Sequence, residues 1–399
     1  MAQAYLSTAP GRCGIIGNPT DMYGGSVISC STQERAAVLI EPSDVLCFEV
    51  AGQRFEVNKP EDLFPDGGYF DVAKAIVHFL DLADTKFSLR WACDVPFAAG
   101  LSSSSAMSVS ILNAIFAFLG RTDHLFFRAE MARHVELNYM ALCGYQDAYM
   151  CTFGGLNFMD FNGKQFYRAF GDEPYATIEP LQGYISEYPF VLGHTGVQRS
   201  SGTDHVPIRE RWLEGDREVT RCYLRIAHLA RMGKRAILAG EWNRLGECMI
   251  ENHDIQRDLG GSGPENDRLI QAAIDGGALG AKLAGAGGGG TIIALTTDPE
   301  PVVQAMKDAG ASRILYPEPS EGVSITALET DEDYQKAETE IAERAKQADL
   351  QEHKPSKHQI TAKHPAINYH LLFRSTIPLL QVARHSLLTK EYSSSLSAR

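Results

Sequence analysis

From Ser104 to Leu119 the chain carries no charged side chain. It reads as one strongly apolar helix, opened by serines at capping positions and stopped by Gly120. Such a helix has to be enclosed, and 399 residues supply material for two or three domains with real cores. Directly before it runs Pro96-Phe97-Ala98-Ala99-Gly100-Leu101-Ser102-Ser103-Ser104-Ser105-Ala106. A helix N-terminus presents unpaired N–H groups and the positive end of the helix dipole, so a small-residue loop there is a ready anion site. The four serines add hydroxyl donors and potential Mg²⁺ ligands. Taken alone, the segment reads equally well as an over-capped helix start.

The rest of the chain mixes strands and helices without strict alternation, which predicts an α+β protein. Cys13–Ile16 and Ala36–Ile40 read as buried strands, 70–83 as a helix and 86–92 as a strand. Helical patterns follow over 124–142, 208–240, 241–258 and 264–277, with a strand at Thr291–Leu295. A helix-then-strand pattern occupies 299–328, and 331–349 reads as a polar helix. A domain boundary is expected between 160 and 200. The formal charge of −13 argues against a nucleic-acid binder, since proteins that neutralise phosphates are normally basic. No apolar run is long enough for a membrane helix, and the start, MAQAYLSTAPG, lacks the parts of a signal peptide. Eight cysteines without a Cys-x-x-Cys pair exclude a disulfide scaffold and argue against a structural metal site. A cytoplasmic protein is expected, with no membrane and no nucleic-acid partner.

Two further segments could hold phosphate. Residues 285–290, Gly-Ala-Gly-Gly-Gly-Gly, match G-x-G-x-x-G literally, but the run precedes a strand, whereas the dinucleotide fingerprint precedes a helix. Five glycines in six residues suit the close approach of a ligand or another backbone. No G-x-x-x-x-G-K-[ST] exists, which removes a P-loop enzyme. The third segment, Pro10 to Gly25, sets Arg12 and Asp21 around a glycine turn.

Together the three segments resemble the three motifs of the GHMP kinases, the family that includes galactokinase, homoserine kinase, mevalonate kinase and phosphomevalonate kinase. Residues 10–25 fit the first motif, 96–106 the Gly-Leu-Ser-Ser-Ser phosphate loop and 282–290 the third, in the right order, over about residues 8–330. Gly144-Tyr145-Gln146-Asp147, followed by Phe153-Gly154-Gly155-Leu156, resembles the segment around the family's catalytic aspartate. The turn Asn18-Pro19-Thr20-Asp21-Met22-Tyr23 departs from galactokinase and is similar to that of plant glucuronokinases. So are the stretches Arg211–Asp216 and Asn252–Ile255.

The resemblance implies a two-domain α+β architecture. Residues 1–180 would form an N-terminal ATP-binding domain of the ribosomal S5 domain 2 type, and 181–349 a ferredoxin-like C-terminal domain. Residues 350–399 would be a basic, flexible tail, with a local charge of +5 against −18 for the first 350 residues. The resemblance further implies ATP and Mg²⁺, with Asp147 as general base and Arg12 beside it and the transferring phosphate. Gly100, Leu101, Ser102, Ser103, Ser104 and Ser105 would cradle phosphates, joined by Gly285, Gly287 and Gly288. Ser104 and Glu136 would hold the metal, with Ser105 as the fallback. A solvated Glu136 on its helix fits the residues equally well. Asp21 would bind sugar hydroxyls and Arg199 a substrate carboxylate. Asp160 is the rival base, and His194 and His205 flank a segment that could touch substrate. The acceptor implied is a sugar or sugar acid, with glucuronate leading and a heptose 7-phosphate as the alternative. A non-catalytic sugar sensor and a decarboxylase of the mevalonate-diphosphate type are the other classes the resemblance leaves.

Overall fold

The computed structural model describes residues 3–140, 143–165, 170–197, 206–285 and 290–348. Two long antiparallel strands, β1 (Ala4–Ile16) and β2 (Ser26–Pro42), set its frame. Both are much longer than the apolar runs that mark them in the sequence. Their polar residues are buried with partners from far along the chain. Ser31 Oγ donates to the carbonyl of Ser320 at 2.9 Å, and Arg35 donates to those of Glu321 and Gly322 at 2.8 and 2.7 Å. A buried polar group is tolerated in a strand when it is satisfied in this way.

β2 forks the first sheet. Its residues Ser26–Cys30 pair with β6 (Leu156–Asp160), and Ala36–Pro42 pair with β5 (Phe87–Cys93). Beyond β5 lie β3 (Cys47–Val50), parallel to it, and β4 (Gln53–Glu56). β7 (Thr177–Pro180) lies outside β6, and β12 (Ser324–Leu328) pairs with the outer edge of β1. The apolar helix forms as α2 (Ser103–Phe118) and packs on β1 and β2. It is enclosed by α1 (Asp71–Phe79), α3 (Leu125–Tyr139) and α4 (Tyr145–Phe153), and Ile111, Leu112, Ile115 and Phe116 are inaccessible. Each such side chain stabilises the fold by roughly 1.5–3 kcal/mol relative to exposure.

The second sheet runs β11 (Arg313–Leu315), β8 (Phe190–His194), β10 (Thr291–Leu295), β9 (Gly280–Leu283), all antiparallel. Alternation along its strands separates two faces. Val191, Ile292 and Ala294 pack under α8 (Pro264–Asp275) and α9 (Pro299–Asp308). Leu192, Ile293 and Leu295 join the main core, together with Leu229 of α6 (Arg217–Ala239) and Leu245 and Met249 of α7 (Trp242–Asp258). One continuous core therefore links both sheets. Where the sequence pattern predicts one helix over 208–240, two form, α5 (Val206–Leu213) and α6. Gly215 takes a positive φ between them, and the Asp216 carboxylate caps α6 by accepting from Glu218 N and Val219 N.

The chain crosses from the first sheet to the second between Pro180 and Phe190 and returns at β12. The polar C-terminal helix α10 (Asp331–Gln347) then lies across the first sheet, with Ala337 and Ile341 against Leu39, Ala37 and Ala92. The tail expected beyond it lies outside the described residues, among which no helix is long and apolar enough to cross a membrane. Arg344 anchors α10 by donating to Asp94 at 2.8 Å, and Asp94 also accepts from Arg35 N at 2.6 Å. Arg344→Ala strands a buried carboxylate. It is expected to lower stability by about 1–3 kcal/mol, read as an earlier urea midpoint at unchanged m-value. An unchanged midpoint would show that the pair is not an anchor.

Candidate active site

The three glycine-rich segments meet around the end of β1. Arg12, buried on that strand, donates Nη1 to the carbonyl of Gly100 at 2.6 Å, and its backbone N donates to Leu101 O at 3.0 Å. Gly14 N donates to Ala284 O at 2.7 Å, and Asn18 Nδ2 donates to Gly285 O at 2.6 Å. The second and third segments also touch each other. A Cβ on Gly285 would lie 2.7 Å from Gly100 O, so only glycine fits. The loop before α2 is held in an uncommon shape, with Ala98 and Ser102 both at positive φ, a local cost on the order of 1–3 kcal/mol each. Such strain persists where the surroundings over-determine it, and here the backbone contacts from β1 do so.

Asp147 stands on the first turn of α4 and takes Arg12 Nε at 2.6 Å, with Nη2 on the same carboxylate oxygen. Burial works against the Arg12 charge, but the Asp147 carboxylate outweighs it and keeps the guanidinium firmly protonated. Asp147 keeps 16% of its side chain exposed, enough for a small molecule to reach it. Next to it, Gln146 donates its backbone N to Asp21 Oδ2 at 3.0 Å and its Nε2 to Asp21 Oδ1 at 3.2 Å. Ser29 fixes that amide by donating to Gln146 Oε1 at 3.0 Å. Gly144 has no room for a side chain, since a Cβ there would stand 2.1 Å from Asp21 Oδ2. Burial, and then the Asp147 charge, push Asp21 up to about 6.

At the start of α2 the serines do not cap in the expected way. Ser102 is the N-cap residue but makes no side-chain capping bond. Instead Ser104 and Ser105 both turn to Glu136 of α3, Ser104 Oγ donating to Oε1 and Ser105 Oγ to Oε2 at 2.7 Å. Glu136 is buried rather than solvated, and burial raises its pKa against the pull of the two hydroxyls. A buried carboxylate faced by two hydroxyls beside a helix N-terminus is an oxygen donor set suited to Mg²⁺ next to phosphate.

Other expected residues fall elsewhere. Asp160 sits at the end of β6, accepting from Ser26 Oγ at 3.2 Å, and is not part of the Arg12 cluster. His194 contacts the carbonyl of Gly290 through Nδ1 at 2.9 Å, beside the third segment. Arg199, His205, Gly287 and Gly288 lie outside the described residues. The structure adds residues to which sequence reasoning gave no role. Lys282 on β9 is wholly buried and donates Nζ to Asn18 Oδ1 at 2.7 Å and to Leu283 O. Burial, and then the charge of Arg12, bring it down to about 7. Asn252 of α7 accepts from Gly17 N at 2.9 Å. The available signal was a lone cation inside a small-residue strand and an Asn-His pair on a helix.

Carboxylate, guanidinium, metal-suited donors and a helix N-terminus brought together are the parts of a phosphoryl-transfer site. Comparison with known proteins agrees. The model for the GHMP kinases N terminal domain matches residues 71–155, and the one for GHMP kinases C terminal matches 234–312. Glucuronokinase 1 of Arabidopsis thaliana is 28% identical over 306 residues, covering 69% of this chain and 81% of that protein. A mevalonate kinase of Pyrococcus horikoshii is 27% identical over 346 residues, covering 82% and 98%. The structure of Lactococcus lactis galactokinase complexed with galactose superposes with a TM-score of 0.63 at 18% identity, covering 82% of this chain and 95% of that one. The chain thus carries matches to both the N- and C-terminal domain models of the GHMP kinases, phosphotransferases that use ATP and an alcohol acceptor.

Asp21 holds its proton more tightly folded than unfolded, with a pKa near 6 against 3.8. Its contribution therefore favours folding below about pH 4 and is lost as the pH rises through about 6, a difference of roughly 2–3 kcal/mol. Asp21→Asn removes this dependence. Relative to wild type, the variant is expected to gain stability between pH 4.5 and pH 8 in urea unfolding. A pH-independent difference would show that Asp21 ionises normally.

Proposed function

We propose that the chain transfers the γ-phosphoryl group of ATP to a hydroxyl of a sugar or sugar acid, with glucuronate to glucuronate 1-phosphate as the leading reaction. The observation that carries this reading is the Asp21–Gln146–Asp147–Arg12 chain of contacts. It sets a buried carboxylate able to accept from ring hydroxyls beside a second carboxylate at the phosphate end. The glucuronokinase relative supports the acid, and the galactokinase fold supports a sugar-sized cleft.

In this reading Asp21 accepts from acceptor hydroxyls and orients the ring, while Asp147 receives the proton of the attacking hydroxyl as its oxygen bonds to the γ-phosphorus and the bond to ADP breaks. A loose transition state needs only a late proton acceptor, which a carboxylate in contact with the attacking hydroxyl supplies. Arg12 both fixes Asp147 and places positive charge where the phosphoryl group moves. The backbone N–H groups of Gly100 and Ser102–Ser105, with Gly285, would surround the triphosphate. Ser104 and Glu136 would hold Mg²⁺, with Ser105 on the other carboxylate oxygen, and the ion would neutralise phosphate charge. The corresponding division is an N-terminal ATP-binding domain over 1–180 and a C-terminal domain over 181–349, except that β12 and α10 return to the first sheet.

Asp147→Asn is expected to reduce kcat by about 10²–10⁴ with ATP binding retained, and to lower the thermal midpoint because it leaves the buried Arg12 charge without its carboxylate. Activity within a few-fold of wild type removes Asp147 from the mechanism. A coupled ADP-release screen over glucuronate, galacturonate, galactose, glucose, fucose, arabinose, heptose 7-phosphate and mevalonate tests the acceptor. Glucuronate is expected to give the highest kcat/KM. Preference for the heptose phosphate replaces the acceptor, and preference for mevalonate overturns the sugar reading.

A further inference from the structure

Of the buried cations Arg12, Lys282, Lys164 and Arg133, the first three are committed to groups of the chain itself. Arg12 is bound to Asp147 and Gly100 O, and Lys282 to Asn18 Oδ1 and Leu283 O. Lys164 sits between the carboxylates of Glu130 and Glu173, the latter at 3.4 Å. Those carboxylates are engaged further, Glu130 by the Tyr149 hydroxyl and Glu173 by the Tyr145 hydroxyl at 2.6 Å. Arg133 of α3 is different. It is 4% exposed, and its Nε and Nη2 have no hydrogen-bond partner among the described residues. Its guanidinium lies over the ring of Tyr145, 3.8 Å from the ring centre. A ring face attracts the charge but gives the N–H groups no lone pair. A buried charge is tolerated when an opposite charge pairs with it, so the place suits an anion that the chain does not supply.

Position indicates which anion. Tyr145 stands between Gly144 and Gln146, the two residues that close on Asp21, and two residues before Asp147. The backbone of Arg133 is joined to the same segment, its carbonyl accepting from the Cys143 thiol at 3.7 Å. Burial pushes that thiol up, Glu136 adds to the rise, Arg133 opposes it, and Asp147 and Asp21 add to it again. One small side chain thus feels all four charges. Glu136, three residues on from Arg133 along α3, turns to Ser104 and Ser105 at the phosphate end. Arg133 turns instead to Tyr145, on the segment that holds Asp21.

We infer that Arg133 receives the anionic group of the acceptor, a sugar carboxylate, and so sets a preference for acids over neutral sugars. The inference rests on the sugar-kinase reading above, and it gives to α3 the role that the resemblance implied for Arg199. A planar guanidinium offers a carboxylate two parallel N–H donors. Two points of attachment, the carboxylate on Arg133 and ring hydroxyls on Asp21, fix the ring so that one hydroxyl faces Asp147. A phosphate on the acceptor presents the same chemistry to Arg133, as does the triphosphate, and the measurements below separate the three.

The experiment measures kcat and KM of the full chain with glucuronate, glucose and heptose 7-phosphate for wild type, Arg133→Met, Arg133→Lys and Arg199→Gln. The ATP KM and the thermal midpoint with and without glucuronate are taken alongside. Arg133→Met keeps an apolar stem over Tyr145 and removes the charge. It is expected to raise the glucuronate KM about 10-fold or more, with smaller changes in kcat and ATP KM. The ratio of acid to neutral kcat/KM should fall by the same factor, and the rise in midpoint that glucuronate gives wild type should be lost. Arg133→Lys, which keeps the charge but loses the fork, is expected to recover part of that ratio. A ratio within about 2-fold of wild type in Arg133→Met overturns the inference. So does a collapse produced by Arg199→Gln instead, or a raised ATP KM in place of a raised glucuronate KM. If Arg133→Met does not fold, an unchanged glucuronate KM in Arg133→Lys overturns it. An Arg133-dependent preference for the heptose phosphate overturns the carboxylate as the anion. Wild-type turnover of glucose as efficient as that of glucuronate overturns the acid preference and leaves the kinase reading standing, whereas phosphorylation of none of the acceptors overturns that reading itself.

Discussion

The contact of Arg12 with Asp147 ties together parts of the molecule that the chain keeps 135 residues apart. One guanidinium, enclosed on β1, reaches a carboxylate on α4 and the carbonyl of Gly100 before α2. A buried charge is tolerated only when paired, so neither partner can move without stranding the other. The loop before α2 and the first turn of α4 therefore have fixed positions relative to β1. The Asp21 turn, at the far end of the same strand, inherits that position through Gln146.

Electrostatically the cleft is built from opposites held close. Asp21, Asp147 and Glu136 bring three carboxylates close together, two of them raised by burial, with Arg12 bound to Asp147 and Lys282 buried within reach of the Arg12 charge. The arrangement suits a reaction in which negative charge moves between phosphates, because the fixed groups need little rearrangement as the charge shifts. Lys282 works at one remove. By bonding Asn18, whose amide in turn holds Gly285 O, it registers the second sheet against the first.

Much of this was legible in the sequence. The apolar helix announced its own burial, and the resemblance to the GHMP kinase motifs named Arg12, Asp21, Ser104, Glu136 and Asp147. The structure brings these into two adjoining clusters, Arg12 with Asp147 and Asp21, and Glu136 with the serines. What could not be read was register. The lengths of β1 and β2 were hidden because Ser31 and Arg35 look like surface residues until their partners near Ser320 and Gly322 are known. Gln146 lay inside a recognised motif, yet its grip on Asp21 depends on how α4 is set against the turn. The break at Gly215 carried a visible stop and a capping aspartate, but the amphipathic pattern on either side masked it.

The pairing of β1 with β12 joins Ala4 to Leu328 and Thr8 to Ser324, with their hydroxyls 2.9 Å apart. Closing so long a loop adds little to its entropic cost, which grows only with the logarithm of length. Its consequence is temporal. A ribosome delivers the strand bearing Arg12 more than three hundred residues before its outer neighbour, so that edge stays open while all of the intervening chain is made. The strand that carries Arg12 is thus walled in long after it is made.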